Sequence, residues 1–337
     1  MEYEVKNLLG SNLYADIFSI TEGSTDFSRF SGKTILITGA AQLVGMYAAI
    51  SLLINNDINN AGSKVIAVDS DESIFEVYGK LTQRTDIDFI VSTDYSALSG
   101  VKADYLLHTE RLMNLECETA LINLVSFIMR ENCPALINTY SDIYGDVYNG
   151  NDKLFETDMG YVNPVKPEYK SAQSQRMAES LVLKLLADRD VKISRSPLID
   201  GAADFSCDSK HIDIIREAIK AHNLVVGCDD HMPESYCYVT DAVEAMFTIL
   251  LKGKSGEIYN IASPYISSTA LIAHHCVKLF PDRELKIITK GTPKYVSPIS
   301  PTIRVLDNTK LSELGYTPKT SISKGIEKTA SILLEVM

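Results

Sequence analysis

The sequence predicts an α/β fold built on a mostly parallel β-sheet with helices on both faces. Short, continuously apolar runs such as KTILITGA, SKVIAVDS and PALINTYS are typical of strands that are buried on both faces. Stretches of helical length, such as LVGMYAAISLLINN, separate these runs. The alternation indicates a doubly wound parallel sheet. From about residue 200 it loosens into mixed helices and turns, which predicts a smaller, interleaved α/β domain near the C-terminus.

The elements follow in a definite order along the chain. Residues 1–30 are predicted to form an N-terminal helical extension that ends in the polar stretch TEGSTDFSRFSG. Residues 31–200 carry the strand–helix alternation and predict the nucleotide-binding domain. Residues 201–337 then form mainly the second, substrate-binding domain. Within them, we expect 235–265 to return to the first domain.

Composition limits the classes of partner. With 337 residues, 45% of them hydrophobic, the chain can bury a sizeable core. A net charge of −12 argues against nucleic acid or a membrane surface as a general partner, because both are polyanions. We expect no secretory signal and no apolar run long enough to span a bilayer. The scattered cysteines, without a CxxC pair, favour a cytoplasmic protein with reduced thiols.

The strongest chemical signal is the loop in TILITGAAQLVGMYAA. A strand runs into Gly39 and a helix follows, with Leu43, Val44 and Gly45 in its expected first turn. This Rossmann-type arrangement places helix N-terminal amides where a pyrophosphate can bind. The middle glycine of the usual pattern is replaced by Gln42, whose side chain competes for the space of the pyrophosphate. The alternative is a strand–helix turn that needs glycine only for close packing.

Asp69 ends the next apolar run. A carboxylate at that place accepts hydrogen bonds from an adenosine ribose, which favours NAD over NADP as the cofactor. The alternative interpretation is a plain acidic residue at a strand end. Two loose His/Cys groupings, at 222–231 and 274–276, lack a second ligand pair, so we predict no metal site.

Several motifs in the same order resemble one family. KTILITGAAQLVG resembles a cofactor loop, ADYLLHTE a fourth strand with its histidine at His108, NTYSDIYGD a fifth strand, and QSQRMAES a catalytic helix. SYCYVTDAVEAMF and LDNTKLSELGYTPKT are similar to the later signatures. The chain, from about Gly32 to Leu334, therefore resembles the extended short-chain dehydrogenases/reductases, in the branch of NAD-dependent nucleotide-sugar epimerases and dehydratases. The resemblance implies NAD beside His108 and a nucleotide sugar as substrate.

The catalytic residues of that family are replaced. The family uses a Tyr four residues before a Lys, which lowers the pKa of the phenol, and a Ser or Thr on the fifth strand. The resemblance places Ser171 at the Tyr position, Gln175 at the Lys position and Tyr140 at the Ser/Thr position. No tyrosine of the chain has a lysine four residues later. Tyr169 lies two positions earlier than Ser171, and helical rotation predicts that it faces away from the cofactor.

Further departures lie at positions that contact substrate or cofactor in similar proteins. Glu234 stands where an arginine supports the nucleotide phosphates, and a carboxylate there repels a diphosphate. Glu110 stands where relatives have small residues. Arg304 does match an arginine that contacts the nucleotide in some relatives.

Two hypotheses from different classes follow. The first is an enzyme of nucleotide-sugar metabolism with a rearranged site, using Tyr140. The second is a pseudoenzyme that keeps the fold as a binding or scaffolding subunit. In the second case, the resemblance implies pairing through the apolar helices ALINLVSFIMRE and SQRMAESLVLKLLA, either as a homodimer or with an active relative.

Overall fold

The computed structural model describes residues 4–110, 118–147, 152–202, 210–231, 233–291 and 305–336. The α-helices are α1 Ser11–Thr21, α2 Leu43–Asn59, α3 Ile74–Tyr78, α4 Glu118–Glu131, α5 Lys170–Leu185, α6 Lys210–Ile219, α7 Val239–Lys252, α8 Thr269–Leu279, α9 Thr309–Ser312 and α10 Ile322–Val336. The strands are β1 Thr34–Thr38, β2 Lys64–Asp69, β3 Ile87–Val91, β4 Tyr105–His108, β5 Ala135–Tyr140, β6 Val191–Ser196, β7 Ile199–Asp200, β8 Leu224–Gly227, β9 Glu234–Ser235, β10 Cys237–Tyr238, β11 Ile258–Asn260, β12 Ile266–Ser267 and β13 Ile287–Lys290.

A seven-stranded sheet in the order β11-β6-β5-β4-β1-β2-β3 forms the centre of the molecule. All of its neighbouring strands pair in parallel. Helices cover both faces, which is the Rossmann-type doubly wound topology and confirms the predicted fold class. The strand order reverses between β1 and β4, and in open α/β sheets the crevice at that reversal is where ligands bind.

The two faces of the sheet bury separate clusters of apolar side chains. On one face α4 and α5 pack through residues such as Leu124, Ile128 and Val182. On the other face lie α2 and α7, which are buried along almost their whole length. An apolar helix of this kind needs a cover on its outer side. The N-terminal helix α1 supplies it, through Leu13 and Ile17.

Asp16 fixes α1 to that face. Its buried carboxylate accepts hydrogen bonds from the hydroxyl groups of Tyr47 at 3.0 Å and Tyr238 at 2.7 Å. It also pairs with the ammonium group of Lys328 on α10 at 2.8 Å. Three elements that are distant in sequence are therefore joined to the N-terminal helix at one carboxylate.

The remaining strands form three short two-stranded sheets, β7 with β10, β9 with β12, and β8 with β13. Helices α6, α8 and α10 pack against one another beside them. These elements follow β6 in the sequence. Side chains from them approach the carboxyl end of the central sheet. In the described part of the chain, no helix is long and apolar enough to cross a membrane.

Candidate functional site

The crevice at the carboxyl end of β1 is shaped by two glycines. Gly39 has a φ of +71°, and a Cβ on it would lie 2.7 Å from the amide nitrogen of Glu110. Gly45 on α2 packs so closely that a Cβ would lie 2.2 Å from the carbonyl oxygen of Gly39. The first glycine permits the turn and the second permits close contact between helix and strand. A larger side chain fits at neither position.

The N-terminus of α2 is formed by Gln42, Leu43 and Val44, the three residues before Gly45. Gln42 is the N-cap, with an extended backbone and no capping hydrogen bond from its side chain. That side chain is exposed, whereas Leu43 is half-buried and Val44 is buried. At the N-terminus of α2, where the helix amides lack intrahelical partners, only the Gln42 side chain is exposed.

Asp69, at the end of β2, holds the same loop in place. One carboxylate oxygen accepts a hydrogen bond from the amide of Ala41 at 2.8 Å, and the other accepts one from the amide of Ser70 at 2.8 Å. Burial raises the pKa of Asp69, and these backbone hydrogen bonds oppose the rise. Asp69 thus connects the ends of two neighbouring strands at the crevice.

A second carboxylate, Glu110, lies at the end of β4 beside that loop. The hydroxyl group of Tyr95 donates a hydrogen bond to it. Burial raises the pKa of Glu110, and the nearby negative charge of Asp69 acts in the same direction, while the Tyr95 hydrogen bond opposes the rise. The crevice therefore contains both acidic groups that the sequence analysis singled out, Asp69 and Glu110.

His108 lies behind the crevice and is fully buried. Its Nδ1 is 2.7 Å from the hydroxyl oxygen of Thr38 on β1, and the Tyr95 ring contacts its ring edge-on. Burial lowers the pKa of His108 to about 4. A neutral imidazole joins β1 to β4 at this place.

Gln175, which the resemblance places at the Lys position of the family, is fully buried on α5. Its amide group donates hydrogen bonds to the carboxylate of Asp142 at 2.6 Å and to the hydroxyl oxygen of Ser171 at 3.0 Å. Its carbonyl oxygen accepts a hydrogen bond from the backbone amide of Tyr140. The neutral side chain thus connects α5 to the end of β5 and the turn after it.

Ser171 and Gln175 are in side-chain contact across one turn of α5, as expected for positions four residues apart. The structure also brings Tyr140, at the end of β5, next to them. The three predicted catalytic positions therefore lie together. None of them supplies a cationic group.

Helix α5 is held against the sheet by a buried ion pair behind the site. The guanidinium group of Arg195 on β6 donates two hydrogen bonds to Glu179 on α5, at 2.7 and 3.0 Å. Thr139 on β5 donates to the same carboxylate at 2.8 Å. Arg195 also lies over the ring of Tyr144, with its central carbon 4.9 Å from the ring centre.

Helical rotation predicts that the Tyr169 side chain faces away from the cofactor. Residues 167–169 form a 3-10 turn that precedes α5, so the rotation of an α-helix does not apply to them. The side chain of Tyr169 lines the same cavity as Tyr140. Its hydroxyl group donates to the carboxylate of Asp146, and its ring packs edge-on against Tyr161.

This cavity has a volume of about 320 Å³ and lies at the carboxyl end of β5 and β6. Its lining includes tyrosines, four acidic residues and an apolar side made by Leu154, Ala172, Pro197 and Leu198. The acidic residues are Asp142, Asp146, Glu168 and Glu234.

Glu234 lines the cavity, and its carboxylate has a buried partner that the sequence did not reveal. Its carboxylate lies 3.5 Å from Nε2 of His211, and Nδ1 of His211 lies 2.8 Å from Asp200. Burial acts to lower the pKa of His211, but the two carboxylates outweigh burial and raise it to about 10. The three residues come from β7, α6 and β9, so no local motif in the sequence marks them.

Arg304 lies outside the described residues. Within the described ranges, no group of three or more His, Cys, Asp or Glu side chains is arranged to hold a metal ion.

Residues 35–262 match the NAD dependent epimerase/dehydratase family, and this match covers more than half of the chain. The chain belongs to that family. The matched range includes the loop at Gly39, the end of β5 and the start of α5.

Curated relatives within the family act on nucleotide sugars, as their names state. The chain is 28% identical over 191 residues to dTDP-D-glucose 4,6-dehydratase of Homo sapiens, covering 55% of this chain and 53% of the relative. It is 24% identical over 212 residues to UDP-glucuronic acid decarboxylase 6 of Arabidopsis thaliana, covering 61% and 59%. The chain thus spans about half the length of the curated relatives it matches.

Solved structures of the family share the fold. A dTDP-glucose 4,6-dehydratase from Bacillus anthracis in complex with NAD has a TM-score of 0.72 at 14% identity, covering 90% of this chain and 97% of that one. A UDP-glucuronic acid 4-epimerase from Bacillus cereus in complex with NAD has a TM-score of 0.71 at 18% identity, covering 90% and 99%. At these identities the likeness concerns the fold alone.

Proposed function

We propose that this member of the epimerase/dehydratase family binds NAD but does not perform the Tyr–Lys chemistry of its nucleotide-sugar relatives. In this proposal it serves as a binding or scaffolding subunit in nucleotide-sugar metabolism. The buried position of Gln175 is the observation that carries the proposal.

Gln175 differs from a lysine because its side chain is neutral and because both its amide and its carbonyl group are hydrogen-bonded. Its amide and carbonyl groups bond Asp142, Ser171 and the backbone of Tyr140. A neutral amide cannot lower the pKa of a neighbouring hydroxyl group as an ammonium group does. Ser171 lacks a base to activate it, and a serine hydroxyl is a weak acid by itself. The pair therefore cannot exchange a proton with a sugar hydroxyl at neutral pH.

The crevice fits the adenosine and pyrophosphate end of NAD. The turn at Gly39, the close packing of Gly45 and the N-terminal amides of α2 form the arrangement in which a pyrophosphate binds at a helix end. Asp69 would hold the adenosine ribose at the end of β2. Bound NAD would supply a hydride acceptor, while Gln175 offers no charge toward the nicotinamide ribose.

Association is supported by apolar side chains on the outer helices. Ile122 and Met129, seven residues apart on α4, are 57% and 48% exposed, and Leu185 on α5 is 46% exposed. Exposed apolar groups that share a helix face favour burial against a partner. We propose a second copy of this chain, or an active relative, as that partner.

A second candidate function is an enzyme with another proton donor. Tyr140 and Tyr169 line one cavity, and Tyr169 is hydrogen-bonded to Asp146. A phenol paired with a carboxylate can transfer a proton without the family's lysine.

Calorimetric titration with NAD, followed by acid release of bound nucleotide, tests the cofactor part of the proposal. We expect micromolar binding that Asp69→Ala weakens by about tenfold or more, since charged hydrogen bonds contribute about 1.5–3 kcal/mol. The matched control is Asp88→Ala, because Asp88 is an exposed acidic residue of β3. Absence of binding at millimolar NAD would remove the cofactor from the proposed function.

A further inference from the structure

A hydrogen bond between Tyr95 and Glu110 lies at the crevice where the proposed function places NAD. Glu110 follows β4, and its carboxylate accepts this bond from the hydroxyl group of Tyr95, in the segment that follows β3. In the central sheet, β1 and β2 lie between β4 and β3. A contact between residues that follow β3 and β4 must therefore pass the carboxyl ends of β1 and β2.

The ends of β1 and β2 carry the groups that the proposed function assigns to the adenosine half of NAD. Gly39 forms the turn after β1, and Asp69 ends β2. The backbone of Glu110 lies against that turn, since a Cβ on Gly39 would be 2.7 Å from the amide nitrogen of Glu110. Burial and the charge of Asp69 raise the pKa of Glu110, while hydrogen bonds from Tyr95 and Ser70 lower it. The Glu110 side chain thus lies beside the positions expected for the pyrophosphate and the adenosine ribose.

Of the two partners, Tyr95 is the fixed one. It is 3% exposed, and its ring packs edge-on against His108 with ring centres 6.1 Å apart. Burial and the charge of Glu110 raise the pKa of Tyr95, whereas a hydrogen bond with Thr38, the last residue of β1, lowers it. Glu110 is only half-buried, so its side chain can turn toward solvent without disturbing the core.

The backbone at Tyr95 is strained. Its φ is +57°, in the left-handed region that is unfavourable for a residue with a Cβ. The preceding residue, Asp94, holds the turn by accepting hydrogen bonds from the amide of Ser96 at 3.0 Å and the hydroxyl group of Ser92 at 3.3 Å. Strained residues of this kind occur at ligand clamps and switch segments, where the surrounding structure maintains them. The strain lies at the residue that donates to Glu110, which favours a contact that changes when a ligand binds.

The charge of Glu110 conflicts with a bound dinucleotide. The pyrophosphate of NAD is negatively charged, and like charges at contact distance repel. The Asp69 carboxylate does not raise this conflict, because ribose hydroxyl groups donate hydrogen bonds to it. Glu110 must therefore move away from the crevice when NAD enters.

We propose that the Tyr95–Glu110 hydrogen bond is an autoinhibitory strap across the adenosine half of the NAD crevice. The crevice is closed while the bond is made, and NAD binds after Glu110 has turned away from Tyr95. The observed affinity is then the intrinsic affinity reduced by the fraction of molecules that are open. The strap rests on the proposed NAD binding, but it predicts a gain of affinity in variants, which the proposed function alone does not.

Calorimetric titration of the full chain with NAD, AMP and nicotinamide mononucleotide tests the strap. Tyr95→Phe keeps the buried ring and removes the hydrogen bond, and Glu110→Ala removes the carboxylate. We expect each variant to bind NAD and AMP about tenfold or more tightly than the unmodified protein, because the closed state loses a hydrogen bond to a charged group. Binding of nicotinamide mononucleotide should stay unchanged, because this probe lacks the adenosine half.

Two control variants remove the same groups elsewhere. Tyr105→Phe removes a hydroxyl group at the opposite, amino end of β4. Glu327→Ala removes an exposed carboxylate of α10. Both should bind NAD as the unmodified protein does. Because Tyr95→Phe and Glu110→Ala act on different partners of one bond, either folded variant gives a result by itself.

Unchanged or weaker NAD binding by either folded strap variant would overturn the strap and leave the proposed function standing. NAD binding by the strap variants but not by the unmodified protein would support the strap and count against NAD binding by the native chain. Absence of binding in the unmodified chain and in both strap variants at millimolar NAD would overturn both.

Discussion

The amide nitrogen of Gln175 on α5 donates a 2.6 Å hydrogen bond to the carboxylate of Asp142, in the turn that follows β5. Because Gln175 also accepts from the backbone of Tyr140, one buried side chain joins the helix to the strand end. The Gln175 side chain that makes these bonds stands where the resemblance places the cationic lysine of the family. A neutral residue at that position thus contributes to the contacts between α5 and the end of β5.

Truncation of Gln175 tests its structural part. Gln175→Ala should lower the free energy of unfolding by about 1–3 kcal/mol, because it leaves half-buried polar groups of Tyr140 and Asp142 without this partner. Urea unfolding followed by circular dichroism gives the value. Gln173→Ala, a half-buried neighbour on the same helix, should cost less than about 0.5 kcal/mol. Equal effects of the two variants would contradict the account.

Gly39 is required both for backbone conformation and for space. Gly39→Ala should destabilise the protein by about 1–3 kcal/mol and abolish NAD binding, because φ is +71° and the added Cβ meets the backbone of Glu110. Gly100→Ala separates the two causes, since Gly100 has a φ of +84° with open space around it. That control should be destabilised less and should bind NAD unchanged. Thermal unfolding and calorimetry measure both effects.

Asp16 anchors the N-terminal helix. Asp16→Ala should lower the free energy of unfolding by about 3–5 kcal/mol, since it leaves Lys328 near a buried site without its anion. Limited proteolysis should then cleave the N-terminal segment first. Asp213→Ala, at a 66% exposed carboxylate, should be close to neutral. Resistance of the Asp16 variant equal to that of the control would show that α1 is held by its apolar side chains alone.

His211 predicts a pH dependence of stability. Its pKa is raised in the folded protein to about 10, from an ordinary value of 6.5. The stabilisation from its charged form is therefore complete below about pH 6.5 and is lost as the pH rises toward 10. His211→Gln should flatten the unfolding free energy over this range, while His274→Gln, an exposed histidine of α8, should leave the profile unchanged. An unaltered slope in the first variant would contradict the assignment.

Self-association tests the proposed partner surface on α4 and α5. Ile122→Asp should convert a dimer to a monomer in light scattering, because the charge is placed in a 57% exposed apolar patch. Lys184→Asp, an exposed polar residue of α5, should have a smaller effect. If the unmodified chain is monomeric at all concentrations and in the presence of an active relative, this surface has no such role.

Local patterns in the sequence predicted much of the fold. The continuously apolar strands and the spacing of Gly39 and Gly45 marked the parallel sheet and its loop, because both depend on neighbouring residues. The resemblance of α5 to the family's catalytic helix also predicted that Ser171 and Gln175 lie side by side, since residues four apart share one face of a helix. The hydrogen-bond partners of Gln175 on other elements could not be predicted from the sequence.

Contacts between distant segments could not be predicted. Asp16 meets Tyr238 across 222 positions, and His211 joins Asp200 to Glu234 from three separate elements. The α-helical frame does not extend to Tyr169, because its segment is a 3-10 turn, which propensity does not distinguish from the first turn of an α-helix. Such features depend on the packing of whole elements rather than on local sequence.

We propose that this chain keeps the fold of its family without the Tyr–Lys chemistry. The most direct measurement is incubation of the purified protein with NAD and either dTDP-glucose or UDP-glucuronic acid, with products identified by mass spectrometry and reduced nicotinamide followed by absorbance. We expect bound NAD with no converted sugar and no reduced cofactor. Turnover by the unmodified protein that disappears in Tyr140→Phe would contradict it and would establish an enzyme with a different proton donor.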